Sequence, residues 1–343
     1  MNKLTFGLDI FGDILLKDNG QLASGARSIR QVVEEGILAD QLGIDIIALG
    51  EHHRPDYAIS SPEMVLAALA EKTDNIKLSS AVTVLSSDDP VRVFERFSIL
   101  DALSNGRAQV ILGRGSFTES FPLFGYDLAD YEDLFEEKTA LFKQLLAEKP
   151  VTWQGKLRPP LKNADVYPKT ESGKLETWIG VGGSPESIIR AARYSFPVIL
   201  AIIGGDPSRF KPYVELYHRA AEELKTKAGD MGVHSHGVIA EDEDTARKIA
   251  WRTIRAMLDK IGRERGWAAM SKEQFDHEIK TGSLYVGTPE QVAQKIAKLI
   301  NDLGIQRFDL VYGAGNQTSA ERLNTIELYG SKVIPRVHEL LKR

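Results

Sequence analysis

A chain of 343 residues fits either about two average domains or one large α/β barrel. With 43% hydrophobic and 27% charged residues it has apolar surface enough for a core, which excludes a disordered chain. Interspersed charges summing to −5 exclude a basic face for nucleic acid, and zero cysteines exclude disulfides, thiolate metal ligands and a cysteine nucleophile. No apolar run reaches the ~20 residues of a membrane span. Asp9 falls too early for a signal-peptide core, so a cytoplasmic protein is expected.

Short apolar runs alternate with longer helical ones throughout. Leu4–Ile10 reads as strand, and Ser24–Gly43 as helix with Ile29, Val32, Val33, Gly36 and Ile37 in one stripe. Ile44–Leu49 and Leu78–Leu85 are the next strands, each followed by a cap-then-proline helix start, Ser61-Pro62 and Asp89-Pro90. Ala108–Leu112 is the fourth strand, before an amphipathic helix over Tyr131–Ala147. The stretch 149–176 holds four prolines and two glycines and reads as a long irregular connection. Thr177–Val181, Pro197–Ile203, Met231–Ala240 and Arg307–Tyr312 complete the strands, with helices at Pro185–Tyr194, Pro207–Lys227, from Ala240 to about Lys260, and over the stripe Val292, Ile296, Leu299, Ile300 and Leu303. A last helix runs from Ser319 to the end. Eight strand–helix units match a single (β/α)8 barrel across 1–343 better than a doubly wound sheet, and no dinucleotide glycine fingerprint is present.

In such a barrel the chemistry lies on the loops after the strand C-termini. The second strand runs into Gly50-Glu51-His52-His53-Arg54-Pro55-Asp56-Tyr57, where imidazoles suit acid–base work; a solvated polar loop is the plain alternative. After the fourth strand, Gly113-Arg114-Gly115 lets an anion approach the backbone while a guanidinium binds it, or is a turn with a structural arginine. The fifth runs into Gly182-Gly183-Ser184-Pro185-Glu186-Ser187, a helix start with free amides and two hydroxyls that suits phosphate, or simply a well-capped helix. Arg114 and this helix start together suggest a phosphate attached to a large planar group. His234 and His236 share one face of the seventh strand, but no third ligand accompanies them, so no metal site is expected. No nucleophile elbow, Walker loop or zincin motif supports a hydrolase.

Glu51-His52-His53, the segment Leu78–Pro90, Asp101–Gly115 and Trp178–Pro197, in this order on barrel units, resemble the luciferase-like flavin monooxygenases over nearly the whole chain. The resemblance implies a barrel that binds reduced FMN, or in some branches a deazaflavin, at the strand C-termini. In FMN members a flavin peroxide formed with O2 then oxygenates a small organic substrate. It implies a phosphate site at Arg114, Ser184 and Ser187 with Gly113, Gly182 and Gly183. At Ser80-Ala81 it implies the strand-three position that often carries a non-prolyl cis peptide beneath the flavin ring. His52 matches the imidazole assigned acid–base work in the bacterial luciferases. Where those carry a reactive cysteine this chain has Gly113, so light emission is not implied. Val82, Val84, Phe117 and Ile203 are expected to shield the site from water, and 262–286, containing Trp267, to form a lid over it or a surface excursion. A homodimer and a separate NAD(P)H:flavin reductase are the expected partners. A deazaflavin-dependent hydride-transfer enzyme and a non-catalytic flavin-binding protein are the alternative functions.

Overall fold

A computed structural model describes residues 4–342. Eight parallel strands form the frame: β1 (Thr5–Ile10), β2 (Ile46–Leu49), β3 (Lys77–Ser80), β4 (Ala108–Gly113), β5 (Glu176–Val181), β6 (Val198–Ala201), β7 (Met231–Ile239) and β8 (Arg307–Val311). Each pairs with its successor, and β8 returns to β1 with Val311 opposite Asp9, which closes the barrel. The helices on its outside include α1 (Gly25–Gln41), α2 (Pro62–Ala70), α3 (Pro90–Leu103), α4 (Tyr131–Leu145), α5 (Pro185–Arg193), α6 (Lys211–Glu223), α7 (Glu243–Arg265), α8 (Lys272–Lys280), α9 (Pro289–Leu303) and α10 (Ser319–Leu328). The expected (β/α)8 barrel is the architecture found. No helix among the described residues is long and apolar enough to cross a membrane.

Local signals set the helix starts. The Asp89 carboxylate accepts from the amides of Val91 and Arg92, with Pro90 behind it at the first helical position. Thr288 and Gln291 form a reciprocal capping box at α9, whose stripe Val292, Ile296, Leu299, Ile300 and Leu303 is buried as the spacing requires.

Several boundaries differ from the sequence reading. Leu78–Leu85 is not one strand: β3 stops at Ser80, the peptide bond between Ala81 and Val82 is cis, and Thr83–Val84 pairs separately with β4. The cis bond thus lies one residue beyond Ser80-Ala81. The stretch 149–176 contains an antiparallel pair, Val151–Trp153 with Leu161–Ala164. The charged helix continues past Lys260 to Arg265, where Gly266 caps it in the left-handed region at φ 71°. The final helix is interrupted by a π-helical turn at Tyr329–Val333, which separates Ser319–Leu328 from Ile334–Leu341. The face that α1 buries is rotated toward Ser28, Gln31 and Glu35, and Glu35 accepts a hydrogen bond from the Tyr312 hydroxyl at 2.8 Å.

The barrel interior is layered. At the N-terminal end Arg307 donates to Gln109 at 2.7 Å and to Asp309, and lies 4.9 Å over the Trp178 ring. Above it sits an apolar layer of Ala48, Ala81, Ile111, Trp178 and Ile199 against Val82. The C-terminal layer is where polarity returns, with Asp9, His234 and His236 from β1 and β7.

Candidate active site

A cavity of about 340 Å³ opens at the C-terminal mouth of the barrel. Its walls come from the exits of β1 to β7 and from one side of α7: Phe11, Val82, Val84, Phe117, Ile203 and Ile261 are representative. Val82, Val84, Phe117 and Ile203, the four side chains expected to shield it, all line it. Val82 can stand there because the facing strand ends carry no side chain. A Cβ on Gly113 would lie 2.5 Å from Val82 Cγ2, and one on Gly180 would lie 2.8 Å from Val82 Cγ1.

The loop after β2 divides its two histidines. Glu51 accepts from the Val84 amide at 2.8 Å and meets His53 Nε2 at 3.0 Å, which ties the loop to the exit of β3. His53, held by Glu51, reaches the cavity lining from there. His52 lines it too, stacked on Tyr57 at 4.3 Å and within 5.2–5.3 Å of the Phe11 and Phe117 rings. Its buried Nδ1 has no hydrogen-bond partner. Burial first, and then the charges of His53 and Arg54, push the His52 imidazole down to about 3. It is a neutral ring at any ordinary pH.

Arg114 stands at another edge of the cavity. Its guanidinium is ion-paired with Glu132 on α4 and lies 5.4 Å from the Tyr131 ring. Arg190 on α5 meets the same Glu132 at 3.4 Å and Glu136 at 2.6 Å, and reaches the Ser187 hydroxyl at 3.5 Å. The Ser184 side chain caps α5 by accepting the Ser187 amide at 3.3 Å and donates to Glu186 at 2.7 Å. Arg114 is thus linked through Glu132 and Arg190 to the start of α5, with exposed carboxylates on the groups that would take an anion.

Of the residues singled out from the sequence, His52, Ala81, Gly113, Arg114 and Gly182 line the cavity. Ser80 lies behind its wall, its hydroxyl engaged with Thr83 at 2.8 Å and the Ile111 amide at 3.3 Å. Gly183, Ser184 and Ser187 sit at the helix start outside the lining; Gly183 has φ 112° and accepts from the Tyr213 hydroxyl at 2.7 Å. The sequence reading passed over Phe11, although it follows β1 as the other site residues follow their strands. Asp9, used there only against a signal peptide, is an acid inside an apolar strand and wholly buried. The end of α7 forms part of the rim: Arg265 donates to the Ser116 carbonyl at 2.9 Å, and Trp267 is half-exposed beside it. Arg54 reaches over the Phe117 ring to Glu119 at 2.6 Å and Glu264 at 2.5 Å, joining the β2 loop to α7. Among the described residues no group of three or more acidic, histidine or cysteine side chains could hold a metal ion.

Comparison with known proteins places this geometry. The sequence profile of the luciferase-like monooxygenases matches residues 11–321. The chain belongs to that family. Its relatives in the luciferase-like monooxygenases include the limonene 1,2-monooxygenase of Rhodococcus erythropolis, 27% identical over 96% of this chain and 87% of that one. The alkanal monooxygenase alpha chain of Photorhabdus luminescens is 24% identical over 96% and 98%. Among solved structures, the oxygenating constituent of the 3,6-diketocamphane monooxygenase from Pseudomonas putida, in complex with FMN, superimposes with a TM-score of 0.78 at 18% identity, covering 97% of this chain and 98% of that one. The coenzyme F420-dependent tetrahydromethanopterin reductase of Methanopyrus kandleri gives 0.70 at 20% identity, covering 98% and 99%. The barrel is thus shared by proteins that use different flavin-type cofactors.

Proposed function

We propose that this chain is an FMN-dependent monooxygenase that oxygenates a small, uncharged organic molecule. The carrying observation is the cavity itself: mostly apolar walls, a neutral imidazole at His52 and a cationic cluster around Arg114 at its edge. The residues present fit FMN. Arg114, Arg190, the Ser187 hydroxyl and the first turn of α5 supply donors for a phosphate. Glu132, more than half exposed, is free to swing off Arg114 when a phosphate arrives. The His52 ring lines the cavity and makes no hydrogen bond there, which leaves its Nε2 for a ligand.

When bound, reduced FMN supplies the electrons by which one atom of O2 enters the substrate and the other leaves as water. The chain's own residues do the rest. Arg114 and the α5 start anchor the phosphate and so fix the depth at which the ring lies. Val82, Val84, Phe117 and Ile203 exclude water, which protects a reactive oxygen species from loss. His52, neutral and sealed off at Nδ1, holds or passes a proton at Nε2.

The test is a titration of the purified chain with reduced FMN without oxygen, followed by oxygen uptake with an alkanal and a monoterpene panel. We expect saturable FMN binding, and for Arg114→Ala an affinity about 10- to 100-fold lower, the loss typical of a charge-assisted bond. Unchanged affinity in that variant removes Arg114 from the phosphate site. Preference for a deazaflavin, with hydride transfer and no oxygen uptake, overturns the reading.

A further inference from the structure

Four histidines line the cavity, and three of them gather around one ring. Phe11 packs against His52 at 5.2 Å, His236 at 6.1 Å and His234 at 6.3 Å, and lines the cavity with them. His234 and His236 rise from β7, and Asp9 comes from β1; the two strands are not neighbours, since β8 lies between them. The contact between Asp9 Oδ2 and His234 Nδ1, 2.7 Å, therefore bridges two strands that share no ladder. Asp9 is wholly buried, and its other oxygen, Oδ1, has no partner. Imidazole geometry puts Nε2 on the ring edge away from Nδ1, and the ring lines the cavity.

We propose that Asp9 and His234 form a second proton-handling pair, in which the buried carboxylate holds the Nδ1 proton of His234 and leaves Nε2 as acceptor and base for an acidic hydroxyl, a phenol or enol, on the substrate. The inference rests on the cavity being the substrate site. The step balances without a further reagent. The substrate O–H bond breaks, its proton goes to Nε2, the electron pair stays on oxygen, and the imidazolium formed keeps Nδ1–H on the Asp9 carboxylate. Asp9 touches nothing but His234 in this scheme and is a positioning residue. Deprotonation makes the ring or double-bond carbon electron-rich, which is what attack by an electrophilic oxygen needs. Phe11, Phe117 and Trp267 give such a planar molecule aromatic surface to lie on.

The groups facing the pair are consistent with this polarity. His236, on the same strand, is pushed down to about 3 by burial and then by His234, so it adds no competing positive charge. Asp309 and Arg307 from β8 face Asp9 from below and offset each other, joined at 2.6 Å. His52 approaches from the β2 side and is neutral. Burial raises the Asp9 carboxyl above its usual range while the His234 bond works against that rise. A carboxyl that stayed protonated would donate to Nδ1 and turn Nε2 into a donor, the opposite chemistry, so the proton's position is the measurable point.

The probe is 4-nitrophenol, whose absorbance separates phenol from phenolate, added to the purified chain just below the probe's own pKa. Bound probe is expected to be ionised beyond the free probe, its pKa lowered by about one unit, a tenfold shift in the ratio. His234→Gln is expected to abolish the shift and Asp9→Asn to shrink it. 4-Nitroanisole, which lacks the hydroxyl, is expected to bind both variants as it binds the parent. Nitrogen-15 NMR of histidine-labelled protein reads the tautomer without any ligand and is expected to find the proton on Nδ1 of His234. A probe that binds un-ionised, a shift that survives His234→Gln, a proton on Nε2, or no probe binding each overturns the proposal. FMN titration of the same preparations keeps this result separate from the cofactor reading, because loss of FMN binding with an intact nitrophenol shift overturns that reading alone. A purely structural Asp9–His234 tie would alter melting temperature in the variants and leave the probe's spectrum as in the parent.

Discussion

His52 is the residue whose chemistry the surroundings restrict most. A free imidazole changes charge near neutrality, yet here burial and the adjacent His53 and Arg54 hold it neutral down to about 3. A residue so placed works as a neutral acceptor or donor, and it contributes no ionisation to a rate profile in the physiological range. His52→Ala is therefore expected to slow oxygenation by about 10²- to 10⁴-fold, the usual worth of a positioned proton-transfer group, with FMN affinity within about twofold of the parent. The parent's pH profile is expected to show no inflection between about 5 and 8 that vanishes in this variant. Steady-state rates with a turned-over substrate and FMN titrations check both statements. An inflection that does vanish would mean that water or ligand in the cavity solvates the ring far better than its burial implies.

At the scale of elements, the mouth is shaped by what the strand ends leave out. Gly113 ends β4 and Gly180 is the last residue but one of β5, both without side chains, and Val82 occupies the space they vacate. The sequence reading took Gly113 as room for a phosphate. The structure shows its missing Cβ giving room to a side chain from the next turn of the barrel wall. Gly113→Ala is expected to destabilise the fold by about 1–3 kcal/mol through overpacking against Val82. The double variant with Val82→Ala is expected to recover most of that loss, a coupling that chemical denaturation of the four proteins measures directly. The same logic says why parts of the site were legible and parts were not. Arg114 and His52 were legible as lining residues because each follows its own strand within a few residues, whereas Ser184 and Ser187 at the α5 start lie outside the lining. The Asp9–His234 contact spans 225 residues and exists only once the barrel closes. Likewise the link from Arg114 through Glu132 to Arg190 depends on how α4 and α5 pack, which no local spacing encodes.

For the whole molecule, the barrel was legible because its evidence is repeated: eight strand–helix units, each with its own cap or apolar stripe, agree with one another. Closure then creates a property that no single unit has, an interior holding ionisable groups away from water. His52 and His236 both titrate near 3 in the folded chain and near the ordinary histidine value when it is unfolded. Between those values the unfolded chain binds more protons than the folded one, so stability must fall as pH drops below about 6.5. The slope approaches about 1.4 kcal/mol per pH unit for each fully shielded ring, and is smaller for His52, which borders an open cavity. The buried carboxyls of Asp9, Asp13 and Glu35 act in the opposite sense. Burial raises them, so in the carboxylate range the folded chain holds protons that the unfolded one has released, and acidification relieves that cost. The two effects oppose each other: the histidine contribution is lost from about 6.5 downward, while the raised carboxyls take up protons in the folded chain from above the ordinary carboxylate range down to it. Urea denaturation of the parent and of His236→Asn at a series of pH values is therefore expected to show a first decline in the parent, relative to the variant, between about pH 6.5 and 5. In His236→Asn, whose amide does not titrate, that first decline is expected to be shallower while the behaviour below it is retained. An identical slope in the variant would show that His236 takes up its proton without unfolding, and that the interior of the mouth is wetter than its packing suggests.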